Sequence, residues 1–395
     1  MVTENSVLVI GAGISGSSTA YHLNKQGWDV TVVDQEKENS LPIYNNPVVC
    51  INPNIMINDK RFNRLMCSSI SYVWQLIEEI KLGESSAQQV GSIYILEKNE
   101  GMDRFNRLIK NNPDLKNYIS VISPKKIWGR YKIEGSVGLY FSSGGWIEPK
   151  DLCKRLLINK NIHKEFNTKV TAVEYMENMW SVSTSNNNKF KAKNIVFCSA
   201  ADIKNYHYFS HLDFDQYRGQ INWVDSEKIQ FTEILSNDGY VIPVFKNSSI
   251  VGSSYDKNNS SNADSEVDTK NNLKKLTALL PKLNYNSLGV HSGSWVGQRA
   301  ASFDRRPYVG RILDHEHNKH LNKKNSVASL MWQKGLYINA CYGSRGFSFA
   351  PLASLSLANM MCRSLGNMDK FILDYLNPER RYFRSKGLKK HGIKF

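Results

Sequence analysis

The segments Val7-Leu8-Val9-Ile10, Gly11-Ala12-Gly13-Ile14-Ser15-Gly16 and Trp28–Asp34 decide the fold of the first part of this chain. They form an apolar run, a G-x-G-x-x-G turn and, after a helical stretch, a second apolar run that ends in an acid. This order is typical of a dinucleotide-binding βαβ unit, in which the three glycines allow a tight turn, approach of a pyrophosphate and close helix–strand packing. The helix N-terminus then faces the phosphates, and Asp34 is placed to accept hydrogen bonds from ribose hydroxyls. The predicted nucleotide-binding residues are Gly11, Gly13, Ile14, Ser15, Gly16, Asp34 and Gln35.

Length and composition limit the class of protein. At 395 residues the chain is long enough for two domains. It has no apolar run of roughly 18 residues and no room for a leader before the first strand, so we expect no membrane segment and a cytoplasmic location.

The six cysteines lack C-x-x-C spacing, which disfavours a disulfide framework. In the polar loop 314–326, His315, His317 and His320 lack a suitably spaced fourth ligand, so no metal is expected there.

The chain carries a formal net charge of +15 at pH 7, part of it concentrated near the end. Residues 380–394 contain seven Lys or Arg and no acid, with Tyr382 and Phe383 among them. Basic side chains meet phosphates and aromatic rings stack on unpaired bases, which favours a polyanionic partner such as RNA. A lysine- and asparagine-rich composition with a solvated tail explains the same charge, and the charge alone leaves both readings open.

The order of segments along the chain indicates its architecture. Segments typical of a mononucleotide fold occur at the start, middle and end, with antiparallel-looking strands between them. This favours a mixed α/β (α+β) protein in which a discontinuous Rossmann-like domain carries an inserted antiparallel β-sheet. A nicotinamide dehydrogenase, whose binding half is usually contiguous, fits less well. Residues 257–271 predict a loop, and residues 272–281 predict a helix that ends at a proline.

The stretch Trp295–Gly310 reads WVGQRAASFDRRPYVG. It resembles the W-x-G-x-R-x-x-[TS]-x-D-x-x-P-x-[IV]-G motif of the glycine oxidase / D-amino acid oxidase (DAO) superfamily. The resemblance implies that Arg299 binds a substrate carboxylate, since a planar guanidinium can pair with both oxygens. A structural ion pair between Arg299 and Asp304 is the alternative.

The turn Gly343–Pro351 resembles the C-terminal flavin-binding turn of the same superfamily. The resemblance implies backbone N–H groups near the flavin pyrimidine carbonyl, where they favour the reduced, anionic flavin. No cysteine lies between residues 292 and 311, so non-covalent FAD is expected. The flavin-binding residues implied are Gly343, Ser344, Arg345, Gly346 and Phe347.

Five segments resemble, more narrowly, the FAD-dependent oxidase domain of the bifunctional enzymes of tRNA 5-methylaminomethyl-2-thiouridine biosynthesis. The segments are Gly144–Pro149, Arg218–Gln220, Asp238–Pro243 with Val251–Tyr255, Gly343–Leu352 and Leu376–Arg380. Together they span nearly the whole chain, and the signatures GGW-x-x-P, GSRG-x-x-x-AP and LNP-x-R occur in the family's order.

This resemblance implies a tRNA-modifying oxidoreductase. It would remove the carboxymethyl group of 5-carboxymethylaminomethyl-(2-thio)uridine at the wobble position, giving 5-aminomethyl-(2-thio)uridine and glyoxylate, with dioxygen as electron acceptor. A separate methyltransferase would act on the product. Arg345 would assist at the substrate carboxylate or a tRNA phosphate, and Tyr240 and Tyr255 would line the pocket unless they serve only sheet packing. The tRNA-binding residues implied are Arg380, Arg381, Arg384, Lys386, Lys389 and Lys390.

The same resemblance implies a two-domain DAO-type flavoprotein. The expected FAD domain comprises residues 1–85, 140–205 and 300–378, the substrate domain 86–139 and 206–299, and a basic tail 379–395. The segment Ser40–Pro47 departs from the family, because it lacks the glycine-containing turn that contacts the flavin.

Two other functions fit the same residues. A small-molecule amine oxidase acting on glycine, sarcosine or a D-amino acid would keep FAD and Arg299 and would not need the basic tail. A non-catalytic RNA-binding flavoprotein would keep the tail, with FAD binding weakened at Ser40–Pro47.

Overall fold

The structure is a computed structural model that describes residues 4–225, 229, 231–245, 248–283, 290–319 and 330–387. Contacts divide the chain into two compact units, each built from separate segments. Unit 1 comprises Met1–Tyr44, Cys153–Gln216 and Arg299–Phe395, and unit 2 comprises Asn45–Leu152 and Tyr217–Gln298.

The boundaries of these units differ from the predicted ones. Residues 45–85 and 140–152, expected in the FAD domain, group with unit 2, and residues 206–216 group with unit 1. The physical reason is packing: Val48 and Trp146 belong to a buried cluster with Ile221 and other residues of unit 2. The end of the chain was predicted to be a separate tail, 379–395. In the structure, residues 379–387 belong to unit 1.

Twenty-one strands and nine α-helices are described. The strands are β1 Ser6–Ile10, β2 Asp29–Val33, β3 Val49–Ile51, β4 Ala87–Gln88, β5 Ser92–Glu97, β6 Ile119–Ile122, β7 Ser136–Phe141, β8 Gly145–Ile147, β9 Ile162–Glu165, β10 Val170–Met176, β11 Met179–Thr184, β12 Lys189–Ala192, β13 Asn194–Phe197, β14 Phe214–Asp225, β15 Ile234–Ser236, β16 Tyr240–Phe245, β17 Ser248–Gly252, β18 Asp256–Lys257, β19 Val290–Ser302, β20 Tyr308–Leu313 and β21 Trp332–Ala340. The helices are α1 Ile14–Lys25, α2 Lys60–Glu79, α3 Lys98–Asn111, α4 Pro124–Tyr131, α5 Pro149–Leu156, α6 Glu266–Leu279, α7 Gly346–Met361, α8 Asn367–Leu376 and α9 Arg380–Ser385.

Unit 1 is built on a six-stranded sheet with the order β20-β21-β13-β1-β2-β9. All five residues of β1 are buried, because parallel strands β2 and β13 flank it; covered parallel strands of this kind read as continuous apolar runs. Strand β20 completes the edge in antiparallel fashion. A separate antiparallel sheet of β10, β11 and β12 is inserted before β13, and its Trp180 packs with Phe197 in the main core.

Helices α1 and α7 pack together in unit 1 through small and polar residues rather than a broad apolar face. Asn339 of β21 donates from Nδ2 to Thr19 Oγ1 and to Ser354 Oγ, both at 2.9 Å. The Thr19 hydroxyl also lies 3.2 Å from the Ser354 hydroxyl. This satisfied polar network fixes how the two helices are placed relative to β21.

Unit 2 contains a nine-stranded sheet with the order β18-β14-β17-β16-β15-β5-β7-β6, where β19 pairs with β14, and a three-stranded sheet of β3, β8 and β4. Its helix α6 begins at Glu266, within the predicted loop 257–271. Ser265 caps the helix by accepting from the Asp268 N–H. The later turns of α6 bury Leu273, Leu276 and Leu279 in the core of unit 2. The earlier part buries the polar residues Thr269 and Asn272 against Gln220, which an apolar periodicity does not detect.

Across the described ranges, no helix combines the length and apolarity needed to cross a membrane.

Candidate functional site

The glycine turn after β1 depends on two glycines. Gly11 has φ +103°, and a Cβ there would lie 2.8 Å from the carbonyl oxygen of Cys198. A Cβ at Gly16 would overlap the carbonyl oxygen of Gly11. Both positions therefore require the absence of a side chain, as the sequence predicts. The close approach to β13 also explains why the turn is so tight.

The remaining glycine of the turn, Gly13, faces open space. A Cβ at Gly13 would meet no atom of the described residues within 4 Å. Gly13 is also the N-cap of α1 and forms no side-chain capping hydrogen bond. The first amides of the helix, including those of Ile14 and Ser15, therefore point their N–H groups and the positive end of the helix dipole towards this space. The arrangement fits a pyrophosphate.

Asp34 lies at the end of β2 and is bound back to the turn. Its Oδ2 accepts from the Ala12 N–H at 2.7 Å and its Oδ1 from the Glu36 N–H at 2.9 Å. Burial raises the pKa of this carboxyl, while the two amides act in the opposite direction. Each oxygen keeps further acceptor capacity, so the carboxylate suits ribose hydroxyls. The side chain of Gln35 is exposed.

The turn after β21 comes close to the first glycine turn. Residues Gly343–Arg345 form a 3-10 turn, with Gly343 at φ +60°, and α7 starts at Gly346. A Cβ at Gly346 would lie 3.3 Å from the Ile14 Cγ2 atom. The N-termini of α1 and α7, distant in sequence, are thus neighbours. Ser344 is exposed, Arg345 half-buried and Phe347 buried.

The strand that carries Arg299 ends beside this second turn. Ala301 of β19 forms an antiparallel bridge with Tyr342, and a Cβ at Gly343 would lie 3.3 Å from the Ala301 Cβ atom. Arg299 is half-buried and precedes Ala301 by two residues. In an extended strand these two side chains share a face, so Arg299 lies on the same strand face as Ala301, whose Cβ atom approaches Gly343.

Asp304 pairs with two arginines other than Arg299, the partner that the sequence suggested. Arg380 donates from Nε to Asp304 Oδ2 at 2.9 Å and from Nη2 to Oδ1 at 2.6 Å. Arg306 donates from Nε to Oδ2 at 2.8 Å. Burial disfavours ionisation of Asp304, yet the hydrogen bonds and charge of Arg380, with the charge of Arg306, lower its pKa to about 2.

The prediction that Arg380 binds tRNA requires a correction. Its side chain is 2% exposed, and its remaining donors reach the carbonyl oxygens of Asn377 at 3.0 Å, Pro307 at 3.2 Å and Arg306 at 2.7 Å. A guanidinium enclosed by one carboxylate and several carbonyls positions the chain and does not present a phosphate-binding surface. The sequence signature LNP-x-R contained this residue, but its basic neighbours obscured the structural role.

The residues after Arg380 are more accessible. The Arg381 side chain is 60% exposed and pairs with Asp213, and Arg384 is exposed. The Lys386 ammonium lies 5.8 Å from the centre of the Tyr382 ring. Lys389 and Lys390 lie outside the described residues. For Arg381, Arg384 and Lys386, contact with tRNA stays a prediction.

The two tyrosines proposed for the substrate pocket both lie in unit 2. Tyr240 begins β16 and packs against a buried cluster that includes Ile242 and Ile250. Tyr255 is 46% exposed and stacks on Tyr217, with ring centres 4.4 Å apart. These contacts are those of sheet packing for Tyr240 and of a surface pair for Tyr255, and a role at the substrate stays a prediction for both.

The atypical segment Ser40–Pro47 contains a 3-10 helix at Pro42–Asn45. Leu41 and Tyr44 are buried there, and the Tyr44 N–H donates to the Leu41 carbonyl oxygen at 2.8 Å. Burial raises the pKa of Tyr44 above its usual value. A compact helical turn with apolar anchors therefore replaces the glycine turn expected from the family.

Comparison with known proteins shows the family of this chain. The model of the family described as FAD dependent oxidoreductase (DAO) matches residues 6–360. The tRNA 5-methylaminomethyl-2-thiouridine biosynthesis bifunctional protein MnmC of Methylobacillus flagellatus is 26% identical over 391 residues, covering 97% of this chain and 60% of that protein. MnmC of Legionella pneumophila (strain Lens) is 26% identical over 395 residues, covering 97% and 58%. The chain thus spans about three fifths of the length of these relatives.

Solved structures share the fold. Glycine oxidase from Geobacillus kaustophilus superposes with a TM-score of 0.79 at 16% identity, covering 95% of this chain and 98% of that one. The predicted two-domain DAO-type architecture, the resemblance to the oxidase part of the MnmC proteins and the FAD cofactor are confirmed. The chain belongs to the FAD dependent oxidoreductase (DAO) family and is an oxidoreductase.

Proposed function

We propose that this oxidoreductase acts on tRNA and removes the carboxymethyl group of 5-carboxymethylaminomethyl-(2-thio)uridine at the wobble position. The products are 5-aminomethyl-(2-thio)uridine and glyoxylate. The observation that carries the proposal is similarity along 97% of the chain to proteins named for tRNA 5-methylaminomethyl-2-thiouridine biosynthesis. The substrate is an N-substituted glycine, so it offers a carboxylate and a secondary amine joined by one carbon.

Different residues of unit 1 would bind different parts of FAD. The amides at Gly13–Ser15 and the carboxylate of Asp34 would hold the pyrophosphate and ribose of non-covalent FAD. The turn at Gly343–Gly346 would hold the flavin end. When bound, FAD supplies the acceptor for a hydride from the carbon between the amine and the carboxylate, and dioxygen then takes the electrons. Water hydrolyses the resulting imine of the substrate to the amine and glyoxylate.

Arg299 would hold the substrate carboxylate through two parallel N–H bonds. The support is its position two residues before the bridge between Ala301 and Tyr342. Since the substrate amine reacts in its neutral form, orientation by this arginine is the main requirement, and no strong side-chain base is needed. Arg345, at the start of α7, would assist at the same carboxylate or at a tRNA phosphate.

The distribution of charge supports tRNA over a small amine as the substrate. Residues 299–395 contain 18 Lys or Arg against six Asp or Glu, a net +12 of the chain's +15. The exposed side chains of Arg381 and Arg384 are part of this excess. Electrostatic contact with phosphates would make binding weaken steeply as salt rises.

The decisive experiment is nucleoside mass spectrometry of tRNA carrying the 5-carboxymethylaminomethyl group, after incubation with the FAD-loaded protein. We expect the modified uridine to become 5-aminomethyluridine, with glyoxylate released. Free glycine and sarcosine are assayed in parallel. If the uridine stays unchanged while free glycine is oxidised, the proposal is wrong and the small-molecule amine oxidase replaces it. If tRNA binds and neither substrate is oxidised, the non-catalytic RNA-binding flavoprotein replaces it.

The role of Arg299 is tested by Arg299→Lys, which keeps the charge and removes the two-pronged geometry. Loss of a charged hydrogen bond is worth about 1.5–3 kcal/mol, so kcat/KM should fall by roughly 10–150-fold. Arg305→Lys is the matched control, because Arg305 lies in the same segment with an exposed side chain. Equal activity of the two variants would exclude Arg299 from carboxylate binding.

A further inference from the structure

A buried carboxylate between two histidines lies in unit 1, away from the nucleotide-binding turns in sequence. The Glu379 side chain is 0% exposed. Its Oε1 lies 3.0 Å from His211 Nε2, and its Oε2 lies 3.0 Å from His315 Nε2. The Leu313 N–H also donates to Oε1 at 3.0 Å. In the described part of the chain, its ion-pair candidates are these two imidazoles, which carry a charge only when protonated.

The two histidines present their Nε2 atoms to the same carboxylate. Their ring centres lie 3.8 Å apart, and the three candidate ligand atoms all lie within 4.8 Å of one another. The imidazoles are 23% and 28% exposed, so one side of the group is open to solvent. In the sequence, His315 stands near only His317 and His320, which predicted no metal, because His211 and Glu379 come from remote segments.

We propose that His211, His315 and Glu379 form a zinc site, with water as the fourth ligand. Two imidazole nitrogens and a carboxylate oxygen are ligands that Zn²⁺ accepts in tetrahedral geometry. Zn–N and Zn–O bonds of about 2.0–2.2 Å at tetrahedral angles require N···O separations of about 3.4 Å. The two imidazole nitrogens each lie 3.0 Å from a different oxygen of Glu379, and the three ligand atoms lie within 4.8 Å of one another. Small side-chain rotations that open the N···O contacts by a few tenths of an ångström and direct both nitrogens to one point would complete the geometry.

Binding changes the protons on the imidazoles. In the metal-free arrangement each Nε2 donates its hydrogen to Glu379, because a carboxylate only accepts. Zn²⁺ needs the Nε2 lone pair, so each proton moves to Nδ1 or, from a protonated imidazole, is released to solvent. The ion also compensates the buried negative charge of Glu379, which is costly without a cationic partner.

The site would join three segments of unit 1. His211 follows the 3-10 helix His207–Phe209, His315 follows β20, and Glu379 immediately precedes α9. Zinc would therefore fasten the start of the helix that carries Arg381 and Arg384. This effect gives the proposal a readout that is independent of oxidase activity.

The test is titration of the FAD-loaded protein with Zn²⁺ against a chromophoric chelator, together with thermal unfolding. We expect one zinc per chain and a higher Tm with zinc. His211→Gln and His315→Gln keep an amide donor for Glu379, so they should fold, yet each should weaken zinc binding at least tenfold. His317→Gln is the matched control, because His317 lies in the same loop and bonds Asp314 instead.

Three results would overturn the proposal. They are failure of the unaltered protein to bind zinc, unchanged binding in His211→Gln and His315→Gln, and equal weakening in His317→Gln. If a glutamine variant does not fold, the corresponding asparagine variant and the rise in Tm of the unaltered protein on zinc addition replace it, and absence of both effects counts against the site.

Discussion

Replacing Arg380 by alanine should destabilise unit 1 rather than reduce tRNA binding alone. The Arg380 guanidinium forms a two-pronged pair with Asp304, with bonds of 2.9 and 2.6 Å, and its side chain is 2% exposed. It also lies 4.6 Å from the centre of the Tyr308 ring. Truncation would remove the two-pronged partner of Asp304, which would keep its bond from Arg306, and would leave several buried carbonyl oxygens without the Arg380 donor.

Two estimates of the effect agree in size. Removing one partner of a buried ion pair costs about 3–5 kcal/mol, mostly because the other charge is left uncompensated. Independently, Arg380 is the principal cation that lowers the pKa of Asp304 from 3.8 to about 2 against the opposing effect of burial. A shift of that size corresponds to about 2 kcal/mol at neutral pH, which is a lower bound because burial would raise the pKa once Arg380 is absent. Because Arg306 still compensates part of the Asp304 charge, we expect a loss of about 2–5 kcal/mol and a Tm lower by about 4–20 °C.

The assay is urea unfolding of the FAD-loaded protein at pH 7, with the midpoint and slope measured for each variant. Arg381→Ala is the control, since its side chain is adjacent in sequence and 60% exposed. An exposed ion pair contributes about 0–1 kcal/mol, so this control should unfold close to the unaltered protein. If Arg380→Ala does not accumulate, Arg380→Lys retains a charge for Asp304 and gives a measurable intermediate loss.

One pattern of results would refute this reasoning. If Arg380→Ala unfolds within about 0.5 kcal/mol of the unaltered protein and weakens tRNA binding as much as Arg381→Ala does, then Arg380 lies at an RNA-binding surface. The buried position described above would then be wrong in solution.

Three further predictions concern the nucleotide site and pH. Gly13→Ala should fold normally, because its Cβ meets open space, yet it should weaken FAD binding. Gly16→Ala should destabilise the protein, because its Cβ overlaps a backbone carbonyl. The Tm without FAD and the FAD Kd distinguish the two variants, and equal Kd values for Gly13→Ala and the unaltered protein would contradict the first prediction. Asp34→Asn should raise the FAD Kd roughly 10–100-fold through lost charged hydrogen bonds. It should also lower the Tm of the FAD-free protein slightly, because the Asn amide nitrogen cannot accept from either the Ala12 N–H or the Glu36 N–H; an unchanged FAD Kd would contradict a role of Asp34 at the ribose. The depressed pKa of Asp304 contributes stability above pH about 4 that is lost as pH falls towards 2, so acid unfolding should be less steep in Arg380→Lys, and identical pH profiles would count against the pair.

The nucleotide-binding half could be predicted from sequence because each requirement is local. Gly11 is needed for its positive φ of +103° and Gly16 for its approach to the Gly11 carbonyl oxygen, both of which are local requirements, and the strand, turn and helix follow in order. The contact of Gly11 with the Cys198 carbonyl oxygen is remote in sequence and could not be predicted. Asp34 was found by the same spacing. What the sequence could not show is that the Ala12 N–H and the Glu36 N–H already bind this carboxylate, because those contacts depend on the exact conformation of the turn.

Helix α6 shows a different reason why a sequence-based prediction was wrong. Periodicity assumes that the buried face is apolar, and Thr269 and Asn272 are polar. In the fold they bind Gln220, at distances of 2.9 Å, so burial is compensated by hydrogen bonds. Only the capping residue Ser265 carried a local signal for the true start of the helix.

The end of the chain shows why charge patterns mislead at single residues. Arg380 and Arg381 are adjacent and chemically identical, yet one is enclosed by Asp304 and backbone carbonyls while the other is largely exposed. Successive residues at the start of a helix point about 100° apart, so a basic run necessarily divides between the interior and the surface. The buried member fixes the helix, and this fixed helix then presents Arg381 and Arg384 to solvent. Stability and RNA binding should therefore be lost together only when Arg380 is changed, and RNA binding alone when the exposed arginines are changed.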